Sequence, residues 1–243
     1  CSPPRCSSPP RSALSRTFPH REVSVTECGF ADRTPAAEDR YDGLSCSGTL
    51  DGTVRTVVEL SGRDMRRRKL LLGSAFGAAA FSEPALLALT VPPAESTARA
   101  GVRRVGMADV EILTAQVSQL RMLDHRYGSG RVREQAVQLL NREANHLLRG
   151  SYTEKTGKAL LRAVAQACWL TGFMAEDVGR HSLAQRYCIQ ALDLTMRAGD
   201  RIYAGYLLSQ MGRMMQGIAR RALTEHDRLR NARSARRDED PRT

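Results

Sequence analysis

Aromatic residues and lysine are both scarce in this chain. Phe, Trp and Tyr make up 5% of its 243 residues, and there is one tryptophan. Of 37 basic residues only Lys69, Lys155 and Lys158 are lysines, so arginine carries nearly all the positive charge. We interpret this first as codon bias in a GC-rich genome, and only second as selection for guanidinium contacts with phosphate.

The sequence also lacks a basic stripe, although its net charge is +11. Basic and acidic residues number 12 and 9 in residues 1–69, 17 and 12 in 70–218, and 8 and 5 in 219–243. A thin excess that is spread over the whole chain favours loose, salt-sensitive attraction to polyanions rather than specific phosphate contacts. We therefore expect no direct, specific binding of nucleic acid by this chain.

Motifs for catalysis and metal binding are missing too. The five histidines, at 20, 125, 146, 181 and 226, form no HExxH, CxxCH or Cys-with-His spacing, and the chain has no P-loop and no GxGxxG after a strand. Cys168 and Cys188 lie on apolar helical faces, where cysteine acts as a small hydrophobe. The sequence predicts no enzyme, no cofactor and no metal.

Residues 1–47 have neither helical nor strand periodicity. They are rich in Pro, Ser, Arg and Cys, and they contain no apolar run long enough to bury. We predict that this segment is disordered. Its composition, and a first residue that is not methionine, suggest a fragment or a misassigned start.

Residues 48–106 are predicted to be a linker that contains a short apolar helix. Arg67, Arg68, Leu70 and Leu71, followed by Ala98–Ala100, partly match a twin-arginine export signal. Glu83 and Pro84 interrupt the apolar segment, and its unbroken run of about 12 residues is too short to cross a bilayer, which needs roughly 20. We favour the linker; export remains the alternative.

The remainder is predicted to be all-α, with a helical domain over 107–223 and a charged tail over 224–243. Apolar residues recur at helical spacing, and glycines and capping residues separate the periodic segments. No β-sheet is expected. The predicted helices are 107–124, 131–149, 152–177, 181–198 and 201–223.

The segment 160–200 contains two amphipathic patterns that are joined at Gly179. Leu160, Val164, Ala167, Thr171 and Met174 form the apolar stripe of the first helix. In the second helix, Ala184, Tyr187, Cys188, Ala191, Leu194 and Thr195 mark one face, and Arg180, Gln185, Arg186, Gln190 and Asp193 mark the other. Small residues at Gly172, Ala184 and Ala191 predict close, antiparallel packing of the two helices.

These spacings resemble the tetratricopeptide repeat. Gly172, Gly179, Ala184, Tyr187 and Ala191 match the repeat's positions, whereas Trp169 is displaced by one place and Met196 replaces a common proline. The resemblance implies antiparallel helical hairpins stacked as a short α-solenoid. Five helices give two and a half hairpins, which would leave the last apolar face without a capping helix.

A wider resemblance covers about residues 50–215. RDMRRRKLLLG, an apolar linker and the segment with DHRYGSG are similar to the C-terminal, sensing or dimerising half of helix-turn-helix regulators of GC-rich bacteria. Residues 1–60 contain no helix-turn-helix pattern, so specific DNA recognition is not carried over. The resemblance implies a cytoplasmic, non-enzymatic effector module that binds a protein or peptide, a small molecule, or a second copy of itself. The alternative is an exported or membrane-anchored repeat scaffold.

The resemblance also indicates where a partner would bind. In the repeat family the first helix of each hairpin lines a concave groove, and matching Gly172 and Gly205 to the family's small position assigns residues to it. The other interpretation of Trp169 is packing between neighbouring helices. The implied groove residues are Gln166, Trp169, Phe173, Glu176, Ile202 and Tyr206.

Overall fold

A computed structural model describes residues 43–66, 78–90 and 96–239, except for the side chains of 78, 79, 218, 221, 222, 225, 226, 229 and 231–239. Residues 1–42 of the segment 1–47 that we predict to be disordered, and residues 67–77 of the twin-arginine-like segment, lie outside these residues. The helices are α1 Leu50–Met65, α2 Ser82–Thr90, α3 Met107–Tyr127, α4 Ser129–Leu139, α5 Asn145–Leu148, α6 Glu154–Asp177, α7 His181–Arg197 and α8 Arg201–Glu239.

The described part is mostly helical, and its helices pack against one another. Only two isolated β-bridges, Arg99 with Tyr152 and Arg104 with Ser151, interrupt this pattern among the described residues. The all-α prediction is therefore confirmed there. The predicted helices of the 107–223 region correspond to α3, to α4 and α5 joined by a π-helical turn at Leu140–Ala144, and to α6, α7 and α8. The last helix is longer than predicted.

Helices α6 and α7 make the most extensive helix pair. The five residues of the predicted α6 stripe, from Leu160 to Met174, are all buried. A Cβ atom added to Gly172 would lie 3.1 Å from the Cβ of Tyr187 and 3.2 Å from the carbonyl oxygen of Ala184. The antiparallel approach of the two helices therefore depends on the absence of a side chain at this position.

Two glycines with positive φ make the turns that reverse the chain. Gly179 follows α6 with φ of 76°, and Gly199 follows α7 with φ of 71°. Their amide groups donate to the carbonyl oxygens of Glu176 and Met196, respectively. Because side chains disfavour this region of φ, glycine at the end of each helix fixes where α7 and α8 begin.

Helix α1 was not among the predicted helices, yet it is part of the core. Val54, Val57 and Leu60 are buried, and the helix packs against α7, α4 and the π-helical turn. Its N-terminus is capped by Thr49, whose hydroxyl accepts a hydrogen bond from the amide of Gly52. Thus the ordered helical unit extends upstream of residue 107.

The segment 43–66 covers the polar face of α7. Of the five residues assigned to this face, Gln185, Arg186, Gln190 and Asp193 are buried, and Arg180, which precedes α7, is exposed. The Gln190 amide donates to the carbonyl oxygens of Gly43 and Ser45, at 3.1 Å each. The Gln190 amide nitrogen can be buried here because the upstream segment supplies its hydrogen-bond partners.

Asp193 makes further polar contacts between segment 43–66 and α7. Its carboxylate accepts hydrogen bonds from the Thr53 hydroxyl at 2.7 Å and the Ser47 amide at 3.1 Å, and it pairs with Arg197 at 3.2 Å. Burial raises the pKa of the Asp193 carboxyl, while Arg197 and the hydrogen bonds oppose that shift. Helix α1 is therefore held to α7 by paired polar groups as well as by apolar contact.

A single carboxylate organises the segment that precedes α3. The Ser96 hydroxyl and the amides of Thr97 and Ala98 donate to Glu154 at 2.6 to 3.1 Å, and Lys158 lies 3.1 Å from its other oxygen. These contacts, with the Ser96 hydrogen bond as the largest cause, lower the pKa of Glu154 from 4.5 to about 2. The segment is thereby fixed to the start of α6.

We expect this attachment to persist at pH values where ordinary glutamates are protonated. A lowered pKa means that the interaction stabilises the folded state above pH 4.5 and is lost as the pH falls through about 2. In an amide NMR titration, the Thr97 and Ala98 signals should shift with a midpoint near 2. The Val105 amide, which donates to the Ser151 carbonyl, is the internal control. A midpoint near 4.5, or the same titration in Glu154→Gln, would contradict the assignment.

Candidate functional site

A cavity of about 420 Å³ lies between α3, α6 and α8. We call it the aromatic cavity. Its lining residues are Arg121, Asp124 and His125 from α3, Gln166, Trp169, Leu170 and Phe173 from α6, and Tyr203, Tyr206 and Gln210 from α8.

Each helix contributes residues at the spacing of one helical face. The positions are i, i+3 and i+4 on α3, i, i+3, i+4 and i+7 on α6, and i, i+3 and i+7 on α8. Residues at these intervals lie above one another along a helix. Helix α6 buries its opposite face in the core, so the same helix supplies both the packing and the cavity.

Three aromatic rings are in contact at the cavity. The Trp169 and Tyr206 rings meet edge to face, with centroids 6.3 Å apart and planes at 77°. The Tyr203 and Tyr206 rings are stacked, 5.7 Å apart with planes at 16°. Phe173 is a fourth aromatic residue in the lining and is 39% exposed. In a chain with so few aromatic residues, this concentration marks the cavity as a distinct surface.

The structure brings four of the six predicted groove residues together, namely Gln166, Trp169, Phe173 and Tyr206. Glu176 and Ile202 do not line the cavity, and the Ile202 side chain is 90% exposed. Trp169 contributes to the cavity lining and is only 8% exposed, a position that is compatible with both interpretations made from the sequence.

Sequence reasoning missed Leu170 from α6, Tyr203 and Gln210 from α8, and the three residues from α3. The groove pattern was applied to α6 and α8 but not to α3, the first helix of the preceding predicted hairpin. Extending the pattern to α3 would have pointed to its inner face. Tyr203 stands three residues before Tyr206, so helical spacing alone could have identified it.

Unpaired polar groups lie at the cavity. The Tyr203 hydroxyl is buried and has no hydrogen-bond partner among the described residues. Burial raises the pKa of this phenol, and the nearby charge of Arg121 opposes the shift. No ion pair joins Arg121 to a carboxylate within the described part of the chain. The Asp124 carboxylate, in contrast, accepts a hydrogen bond from Ser129 at 2.7 Å.

A second cavity, of about 290 Å³, lies beside a buried ionic cluster. Arg133 donates to the Asp64 carboxylate, the Tyr187 hydroxyl donates to the same oxygen at 3.0 Å, and an Arg180 nitrogen is 3.9 Å from the other oxygen. We call these four residues the Asp64 cluster. Because Arg133 from α4 and Tyr187 from α7 both contact the Asp64 carboxylate of α1, we assign the cluster a structural role that joins α1 to α4 and α7.

The described cysteines and carboxylates form no metal centre. No group of three or more His, Cys, Asp or Glu residues suited to a metal ion occurs in residues 43–66, 78–90 and 96–239. Burial raises the pKa of the Cys168 and Cys188 thiols well above the ordinary value, which keeps them protonated near neutral pH. In those same ranges, no helix has the length and apolar character that crossing a membrane requires.

Comparison with known proteins does not decide between the two cavities. No protein-family model, curated protein or solved structure matches the chain. The choice therefore depends on chemistry. The lining of the aromatic cavity includes exposed rings and the unpaired Tyr203 hydroxyl, whereas the lining of the other cavity contains no aromatic residue, and its Asp64 and Arg133 side chains pair with each other, so the aromatic cavity is the candidate functional site.

Proposed function

We propose that this chain is a non-enzymatic interaction module that binds a protein or peptide segment over the aromatic cavity. The observation that carries the proposal is the convergence of four aromatic residues from α6 and α8 on one surface. Large, rigid aromatic side chains bury much area at little entropic cost, and they dominate the energetics of many interfaces. Phe173 and Tyr206, which are 39% and 47% exposed, are available to a partner.

The proposal includes a short tetratricopeptide-like solenoid as the scaffold. The order of helix contacts supports it: α3 packs on α4, α4 on α6, α6 on α7, and α7 on α8, while α3 also packs on α6. The cavity is lined by α3, α6 and α8, the first helices of the successive predicted hairpins. Stacked hairpins would place these helices along one surface.

We further propose that the module is the effector half of a transcriptional regulator, acting without a helix-turn-helix domain in this chain. This step is supported by the resemblance of residues 50–215, and the partner could equally be a second copy of the chain. Such a module would regulate its target by exchanging one bound partner for another. It would need neither a cofactor nor direct, specific contact with nucleic acid.

Substitutions at the exposed rings should weaken partner binding without unfolding the protein. A random peptide library would be selected on the full chain, and the affinity of a selected peptide would be measured by calorimetry. Because central aromatic residues commonly contribute about 2 kcal/mol or more, we expect Phe173→Ala and Tyr206→Ala each to raise Kd by about 30-fold.

Leu223→Ala is the matched control, since Leu223 is an exposed apolar residue of α8 that does not line the cavity. It should leave Kd unchanged, and all three variants should retain the wild-type melting temperature within a few degrees. If no peptide is selected, or if selected peptides bind the ring variants as tightly as the wild type, the proposed function is wrong.

A further inference from the structure

The aromatic cavity has dimensions suited to a small molecule. Ligand pockets commonly enclose about 300 to 1,000 Å³, and the cavity's volume of about 420 Å³ falls at the lower end of that range. Helices α3 and α8 contribute its sides together with α6. A compact ligand in the cavity would therefore contact three helices at once, whereas a ligand on a flat surface patch would contact only one helix.

The arrangement of the rings favours a flat, unsaturated ligand. Aromatic rings prefer offset-stacked or edge-to-face partners, and Trp169, Tyr203 and Tyr206 already show both geometries. A planar aromatic ligand can extend this set of contacts, while a bulky aliphatic ligand of equal volume cannot stack. The apolar part of the occupant is thus best supplied by one or two fused aromatic rings.

The Tyr203 hydroxyl and the Arg121 guanidinium could both donate hydrogen bonds to an acceptor group on that ligand. The Tyr203 hydroxyl is buried without a hydrogen-bond partner among the described residues, and burial keeps it protonated and able to donate. Arg121 adds a guanidinium that is not ion-paired within the described part of the chain. A buried donor gains most from a charged acceptor, and guanidinium groups pair well with carboxylates.

The cavity lining also contains one carboxylate, that of Asp124, whose negative charge disfavours an anionic ligand, and Arg121 is a cation in the same lining that offsets it. The Asp124 carboxylate is buried and accepts the Ser129 hydroxyl at 2.7 Å. Its hydrogen bond is directed toward the start of α4, where the same hydroxyl also lies 2.8 Å from Asp177. The amides of Gln166 and Gln210 add neutral donors to the lining.

We propose that the aromatic cavity binds a small planar aromatic carboxylate, whose ring packs on Trp169, Tyr203 and Tyr206 and whose carboxylate accepts from Arg121 and Tyr203. This inference deepens the proposed function and rests on it, because a ligand in the cavity can regulate the protein only if the cavity binds a partner. The ligand would occupy the surface offered to the protein partner, so it would act as an effector that competes with that partner.

Calorimetric titration of the full chain with β-naphthoate tests the proposal. We expect saturable binding of one equivalent, together with a change in the fluorescence of Trp169, the chain's single tryptophan. Arg121→Gln and Tyr203→Phe should each weaken β-naphthoate binding by about tenfold, the size expected for the loss of one charge-assisted hydrogen bond. β-Naphthamide, which keeps the rings but lacks the charge, should bind the wild type about tenfold more weakly and should not respond to Arg121→Gln.

Arg126→Gln is the matched control on α3, because Arg126 does not line the cavity and instead lies over the Tyr127 ring at 5.4 Å. It should bind β-naphthoate as the wild type does. The inference is overturned if β-naphthoate does not bind, if β-naphthamide binds equally well, or if Arg121→Gln behaves like Arg126→Gln. Should selected peptides bind the cavity while β-naphthoate does not, only this inference fails; the converse result would overturn the proposed function and leave the small-molecule site.

Discussion

Leu192→Asp is expected to destabilise the protein strongly. Leu192 is completely buried in α7, where it belongs to the apolar core. An unpaired buried charge belongs to the small class of substitutions that cost more than about 4 to 5 kcal/mol. Since typical domains are stable by only about 5 to 15 kcal/mol, a loss of this size removes between about a third and all of that stability. Urea denaturation followed by far-ultraviolet circular dichroism measures it.

The conservative replacement Leu192→Met distinguishes charge burial from a general intolerance of the position. Met has nearly the same volume, so we expect it to lower the free energy of unfolding by less than about 1.5 kcal/mol. A melting temperature of Leu192→Asp close to that of the wild type would show that α7 does not bury this position and would overturn the packing of α7 in the core.

Arg133→Met should have the second largest effect, because it leaves Asp64 charged and buried. The Tyr187 hydroxyl and the more distant Arg180 would remain as its polar neighbours in the Asp64 cluster. Removing one partner of a buried ion pair typically lowers the free energy of unfolding by about 3 to 5 kcal/mol. Arg131→Met, at an exposed position of the same helix, should change it by less than about 0.5 kcal/mol.

A double-mutant cycle shows whether that loss comes from the unpaired charge. Asp64→Leu combined with Arg133→Met removes both charges and leaves the Tyr187 hydroxyl unpaired, which costs about 1 to 3 kcal/mol. The double variant should therefore be more stable than the sum of the two single losses predicts, by more than about 1 kcal/mol. Additive losses would mean that Asp64 and Arg133 act independently, contrary to their contact.

The fold was predictable where apolar spacing alone determines burial. Helices α3, α6 and α7 begin and end within three residues of the predicted bounds, because their apolar stripes and turn glycines are local signals. Helix α1 was not predicted, since its buried face includes Thr53, Thr56, Ser61 and Asp64, which interrupt the short apolar pattern. From the sequence alone, polar residues in a helix are taken to face solvent, because their hydrogen-bond partners in the folded protein are not yet known.

The burial of the polar face of α7 could not be predicted for a related reason. Gln190 and Asp193 form an ordinary solvent-facing pattern in the sequence, but their partners lie 140 to 147 residues upstream. Local periodicity contains no information on contacts at that distance. Only the three-dimensional arrangement shows that segment 43–66 fills this face and supplies the missing hydrogen bonds.

The candidate site was predictable in part, because a repeat pattern assigns faces of helices but not the distances between them. It placed Gln166, Trp169, Phe173 and Tyr206 on one surface, and the structure brings them to one cavity. It could not give the exposed state of Ile202, which follows from how α8 is rotated against α7. Nor could it give the burial of the Tyr203 hydroxyl without a partner among the described residues, since that depends on which groups surround it in space.

The contact between α1 and α7 also sets an order of events during synthesis. Thr53 and Asp193, which share a hydrogen bond, are separated by 140 residues, so α1 leaves the ribosome long before the helix that completes its packing. At about 5 to 20 residues per second, that interval lasts about 7 to 28 s. Helix α4 and the π-helical turn, which also pack against α1, emerge earlier, but the packing of α1 and its Val54, Val57 and Leu60 stripe stays incomplete until α7 follows. During that time the nascent chain would present a partly uncovered amphipathic helix to any chaperone near the exit tunnel.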